Sequence, residues 1–215
     1  MPNNISLKKI VSLAGREIFF LAGETQWPTV YYIKDKDAGG LLINSPPYTE
    51  ALTRIFEKET SVDYIFYPSF YGASDVDQWR QYLKAETLAY TPEIANINGT
   101  IDIELDRKSK LTRTIDFLPM AGRTQGSCAL RMKNLPGAIF FGPILTPNTS
   151  GWPTLVENEN DFSFESRLFG ALALKDLKYD YAFTDQFIEG KTHVGPGASN
   201  AINDNIDRVL DFDSN

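Results

Sequence analysis

Two residue types with metal or nucleophile chemistry occur once each in this 215-residue chain, as His193 and Cys128. One histidine and one cysteine exclude Cys₄, Cys₂His₂ and multi-histidine zinc sites built within a single chain, and they exclude an intramolecular disulfide. His193 lies in the stretch KTHVGPGAS. A general base there needs a partner to orient it, and with none identifiable it reads as an exposed loop residue. Gly195-Pro196-Gly197 is too short for a nucleotide-binding loop and lacks the strand-turn-helix context. Capping of the following helix by Ser199 or a neighbour is the simpler account. Cys128 sits in an apolar, β-prone run and reads as a small buried hydrophobe. Asp102 and Glu104 alternate with Ile101, Ile103 and Leu105, the pattern of a strand with one solvated face.

The elements that carry these residues alternate along the chain. Strands are expected at Glu17–Leu21, Val30–Ile33 and Leu41–Ile43, the last two separated by the turn-prone KDKDAGG. Pro46 and Pro47 break the chain, and Leu52, Ile55 and Phe56 then fall at helical spacing from Thr49 onward. Tyr64–Tyr67 reads as a buried strand. Ser74 with Asp77 resembles a capping box opening a helix through Trp79 and Leu83. Further strands are expected at Ile101–Leu105, Thr114–Leu118, Cys128–Met132, Ala138–Phe141 and Tyr181–Phe183. Phe164, Leu168, Ala171 and Leu172 mark one helix, and Ala198 to Leu210 a closing one. Two groups of strands with helices between and after them suggest helices packed outside two sheets.

Composition narrows the class. The chain is 42% hydrophobic and 23% charged, with a net charge of −7. A protein of this size buries about 70% of its unfolded surface and needs no disulfide to hold a core. The acidic balance argues against nucleic acid or an anionic membrane as partner. No apolar run reaches the length of a signal peptide or a membrane span, so a cytoplasmic protein is expected. Linkers and repeats are absent, so residues 1–215 are expected to form one domain, frayed only in MPNN and DFDSN.

Taken in order, these segments resemble the metallo-β-lactamase fold from Glu17 to Leu210. The anchor is Ala121-Gly122-Arg123-Thr124-Gln125-Gly126-Ser127, where the family carries P-G-H-T-x-G-S. The stretch AIFFGPIL is similar to the family's strand ending in Gly-Asp, with Pro143 in the place of the aspartate. The resemblance implies an α/β chain folded as a four-layer αββα sandwich. It also implies where metals would be held. Against the family's H-x-H-x-D-H, this sequence has Tyr67, Ser69, Tyr71 and Gly72 at the four ligand positions. Arg123 stands for the next histidine, Pro143 for the bridging aspartate, and Asp185 or a neighbour for the last histidine.

A hydrolytic zinc ion needs three or more N, O or S donors and an open position for water. The matched positions supply a guanidinium, two phenols, a hydroxyl, a glycine and a proline. A guanidinium cannot ligate zinc, and at an effective dielectric near 20 its repulsion of a cation about 4 to 5 Å away is several kcal/mol. Phenols titrate near 10 in model peptides and are poor ligands at neutral pH. No metal ligands and no cofactor are therefore assigned.

The vacated cleft offers Tyr67, Ser69, Tyr71, Asp75, Arg123 and Asp185 as candidate ligand-binding residues, with no catalytic residue among them. Arg123 could receive a small anion, with the hydroxyls as donors; alternatively it pairs with Asp75 or Asp185 and fills space. Tyr67 and Tyr71 could stack on a ligand or simply pack. The expected function is a metallo-β-lactamase-like protein that has lost its zinc ligands and binds or interacts without catalysis. The alternative is a hydrolase with a rearranged, mononuclear or metal-free site, for example one using Asp75, Asp185 and His193. Fourteen Phe, ten Tyr and three Trp residues also permit a homodimer through aromatic surface.

Overall fold

The computed structural model describes residues 5–23 and 28–212. The expected fraying at MPNN, and at residues 213–215, falls outside them. The chain divides into two compact units, Met1–Asp106 and Arg107–Asn215. Among the described residues no helix is long and apolar enough to cross a membrane.

The first unit is built on a seven-stranded sheet whose spatial order follows the sequence, β1 (Ser6–Leu13), β2 (Arg16–Ala22), β3 (Tyr31–Asp35), β4 (Gly39–Ile43), β5 (Tyr64–Tyr67), β6 (Glu86–Tyr90) and β7 (Ile103–Leu105). The first four strands form an antiparallel meander, and β4 to β7 run parallel. Parallel neighbours need a crossover. Helix α1 (Glu50–Glu59) supplies one between β4 and β5, and α2 (Val76–Leu83) another between β5 and β6. Thr49 caps α1, its hydroxyl accepting from Leu52 N at 3.3 Å. The apolar side chains of both helices pack into one core with Leu42, Ile65, Tyr67 and Ala89. Trp79 lies fully buried there, and its indole donates to the Pro46 carbonyl at 2.6 Å.

Three sequence readings change in this unit. The hairpin strand β1 and the buried strand β6 were not expected; β1 is half exposed, and Ala14 joins it to β2 with φ of +50°, a conformation an alanine does not advertise. The Ser74–Asp77 capping box does not form. Asp75 occupies the cap in a left-handed conformation, and the Asp77 carboxylate instead accepts from Thr100 N at 2.9 Å.

The second unit has a four-stranded sheet in the order β13 (Tyr181–Thr184), β10 (Ala138–Gly142), β9 (Cys128–Met132) and β8 (Ile115–Pro119). β10 and β13 are parallel, the others antiparallel. A small hairpin, β11 (Thr146–Pro147) with β12 (Pro153–Thr154), precedes α4 (Phe164–Leu172). Helix α5 (Ala198–Phe212) closes the chain after β13, and the short helix Thr91–Ile94 of the first unit is α3. Ala171 of α4 and Ala198, Ile202 and Ile206 of α5 share a core with Ala129, Ile139 and Phe141 of the sheet. Cys128 is fully buried, as expected of a small hydrophobe. Ser199 lies inside α5 and does not precede it. Asp180 serves the helix start instead, through its carboxylate to Gly197 N at 2.6 Å and its carbonyl to Ala198 N at 3.2 Å.

Candidate functional site

The matched positions of the first unit follow β5. Parallel strands end their hydrogen bonding at their carboxyl edge, which is where chains of this architecture place loops that can carry a site. Here the loop is compact. After Tyr67 and Pro68 the backbone makes a single 3₁₀ turn, Phe70–Gly72. Fully buried Glu93 holds that turn, its carboxylate accepting from Phe70 N at 2.8 Å. The rings of Phe70 and Tyr71 lie 4.3 Å apart.

Each candidate side chain has structural work here. Tyr67 is fully buried, and burial pushes its phenol well above the ordinary tyrosine range, so it stays neutral and does not ligate a cation. Its hydroxyl lies 3.2 Å from Ser45 Oγ, which also donates to the Ser74 carbonyl at 2.6 Å. Because a carbonyl only accepts, the serine proton goes to Ser74 and the phenol supplies its own to Ser45. Asp75 is exposed, and its carboxylate accepts from Tyr48 N at 2.7 Å. The Ser69 hydroxyl is the exception: fully buried, it has no hydrogen-bond partner among the described residues.

Gly72 has no room for a side chain. A Cβ there would stand 1.8 Å from Asn44 Oδ1 and 2.4 Å from Asn44 Cγ. Asn44 is itself fixed, with φ of +65° and its amide donating to the Thr29 carbonyl at 2.9 Å. The space belongs to Asn44, and Ser45 N reaches past it to the Gly72 carbonyl at 2.8 Å.

In the second unit the stretch Ala121–Ser127 turns tightly between β8 and β9. Ser127 holds both ends: its hydroxyl donates to the Met120 carbonyl at 2.7 Å, and its carbonyl accepts from Met120 N at 2.9 Å. Gly122, at φ of +132°, lies against the start of α4, where its carbonyl accepts from Ser163 N at 2.9 Å. A Cβ at 122 would meet Arg167 Cγ at 2.3 Å and Ser163 O at 2.5 Å. Gly122 and Ser127, the glycine and serine shared with the family pattern, both shape this turn.

Arg123 points to an acid that sequence reasoning did not select. The sequence suggested Asp75 or Asp185 as its counter-ion; the structure pairs it with Asp161 at 3.1 Å. Asp161 also receives Nη1 of Arg167, whose guanidinium further donates to Val156 O at 3.1 Å and Ile144 O at 2.6 Å. All three side chains are largely withdrawn from water, with 11%, 3% and 1% exposed for Arg123, Asp161 and Arg167. Burial and the neighbouring Arg123 both lower the pKa of Arg167, opposed by Asp161. Arg167 was missed because a lone arginine among Phe164, Leu168 and Ala171 reads as a solvated position. The available signal was Asp161 six residues earlier.

Asp185 follows β13, is 2% exposed, and its N–H donates to the Gly142 carbonyl at 2.9 Å. His193 is exposed, as expected, and its ring stacks on Trp152 with centroids 4.9 Å apart. Among the described residues no group of three or more His, Cys, Asp or Glu side chains is arranged to hold a metal ion. The donor set at the matched positions does not fit zinc. It offers a guanidinium, two phenols of which Tyr67 is held neutral, a serine hydroxyl, a glycine, a proline and a single carboxylate, Asp185.

Comparison with solved structures identifies the architecture. The chain matches a subclass B3 metallo-β-lactamase of Bradyrhizobium japonicum with a TM-score of 0.65 and 11% identity, covering 99% of this chain and 97% of that one. It matches a Cronobacter sakazakii metallo-β-lactamase with a HARLDQ motif at TM-score 0.61 and 13% identity, over 83% and 80% of the two chains. The dizinc quorum-quenching lactonase AidC matches at TM-score 0.61 and 13% identity, over 88% and 93%. No protein-family model matches the sequence, and no curated protein matches it. The chain has the metallo-β-lactamase fold, as the A-G-R-T-x-G-S stretch and the order of its elements led one to expect.

Proposed function

We propose that this chain is a non-catalytic binding protein on a metallo-β-lactamase scaffold, taking a small anion beside Arg123. The observation that carries this reading is the Arg123–Asp161–Arg167 cluster. Two guanidiniums share one carboxylate, so the three side chains sum to one positive charge in a chain of net charge −7. A guanidinium where the fold's metal-binding members have a histidine disfavours a cation and favours an oxyanion. A second reading is supported by the hydrolytic neighbour: AidC is a lactonase, and a rearranged or metal-free site would make this chain a hydrolase.

Elemental analysis of protein purified without chelator separates the two. A full equivalent of zinc, iron or manganese per chain overturns the metal-free reading, and less than a tenth supports it. Thermal unfolding in increasing inorganic phosphate at constant ionic strength then tests the anion. The wild type is expected to gain stability and Arg123→Gln to lose that gain. Equal shifts in both proteins return Arg123 to an architectural role.

A further inference from the structure

A concavity of about 240 Å³ lies wholly within the second unit, between the turn of the β11–β12 hairpin and the loop that leaves β13. We propose that it is a binding site for a short aliphatic carboxylate, with Lys191 receiving the carboxylate group. This inference is independent of the anion assigned to Arg123.

The walls are fixed in advance. The hairpin turn is shaped by Asn148, whose Oδ1 accepts from Ser150 N at 2.9 Å and Trp152 N at 3.1 Å. The loop is shaped by Thr192, whose hydroxyl accepts from Ile188 N at 2.9 Å, and by Lys191 N donating to Ile188 O at 3.0 Å. His193 N donates to Gly151 O at 2.9 Å and ties the two walls together, with the His193 and Trp152 rings stacked beside the tie. A site organised before binding loses less ordering entropy when a ligand arrives.

The lining selects the ligand. Among the described residues that form it, Lys191 alone is charged, and Asn148, Thr149 and Gln186 add uncharged hydrogen-bonding groups. The loop's own acids, Asp185 and Glu189, are outside the lining. A concavity with a cation and no carboxylate runs against the chain's excess of acids, 28 to 21. A strongly hydrated ammonium with three donors suits a carboxylate. Pro147 and Ile188, the latter 52% exposed to solvent, flank it with apolar surface and supply a place for a short hydrocarbon stem. The volume is below the roughly 300–1,000 Å³ of sites for drug-sized ligands, so the stem is short.

Titration of the full chain with butyrate, followed by backbone amide chemical shifts, tests the site. Butyrate is expected to shift amides of residues 148–151 and 186–192. Butyramide, the neutral isostere, and inorganic phosphate, which lacks a stem, are expected to bind more weakly. Lys191→Met is expected to weaken butyrate about tenfold or more, the worth of one charge-assisted contact. Arg123→Gln is expected to leave it unchanged, which keeps this site distinct from the other. Butyramide or phosphate binding as well as butyrate, an unchanged affinity in Lys191→Met, or shifts absent from these two loops would each overturn the proposal.

Discussion

Replacing Gly72 by alanine tests whether Asn44 occupies the space beside it. The new Cβ would overlap Asn44 Oδ1 and Cγ, at 1.8 and 2.4 Å, so the whole amide must move and not only its tip. Moving it breaks the 2.9 Å bond from Asn44 to the buried Thr29 carbonyl, a loss of about 1–3 kcal/mol. Overpacking adds about 1–3 kcal/mol. Gly72→Ala is therefore expected to lose about 2–6 kcal/mol of stability, read as a lower urea midpoint at unchanged slope. Asn44→Gly keeps the positive φ of position 44, empties the space and gives up the Thr29 bond, itself about 1–3 kcal/mol. In that background the alanine has room, and the double variant is expected to match Asn44→Gly to within about 0.5 kcal/mol. Additive losses in the double variant, or a Gly72→Ala protein as stable as wild type, would refute the idea that Asn44 owns this space.

Other outcomes follow from the same contacts. Asp161→Asn leaves Arg123 and Arg167 without their shared counter-charge and is expected to lose about 3–5 kcal/mol by chemical denaturation, more than Arg123→Gln loses. Gly122→Ala meets Arg167 and the Ser163 carbonyl at a positive φ and is expected to lose about 3 kcal/mol or to yield insoluble protein on expression. Acid stability depends on three aspartates held below the ordinary carboxylate range. In Asp102 the hydrogen bond from Arg80 lowers the pKa, outweighing burial. In Asp116 burial raises it but Arg131 and Lys133 together outweigh burial, and in Asp35 the Ala38 and Asp37 N–H groups with Arg16 do the same. A depressed folded value means the stabilisation is complete above the unfolded carboxylate pKa and lost as pH falls through the folded one. The urea midpoint is thus expected to hold from about pH 7 to 5 and fall below about pH 4, with a shallower fall in Asp116→Asn.

Much of the architecture was legible in residue order. Tyr64–Tyr67 and Cys128–Met132 are strands with the bounds their apolar runs suggested, and Thr49 caps the helix its spacing announced. The elements that escaped lack a strong period. β1 carries lysines on a half-exposed ribbon, and β6 is the unremarkable ETLAY between a helix and a proline turn. The candidate site was legible only as a set of positions. That Gly72 is backed by Asn44, or that Arg123 meets Asp161 thirty-eight residues on, depends on tertiary approach that no local pattern encodes.

The shared carboxylate of Asp161 has a consequence for engineering this chain. A histidine placed at position 123 by itself would not rebuild a metal ligand. It would withdraw one of two cations from a buried acid. The loss is not local to position 123, because the acid it would strand also carries the α4 arginine. A designer seeking a neutral side chain at position 123 must change the loop, the acid and the helix arginine together.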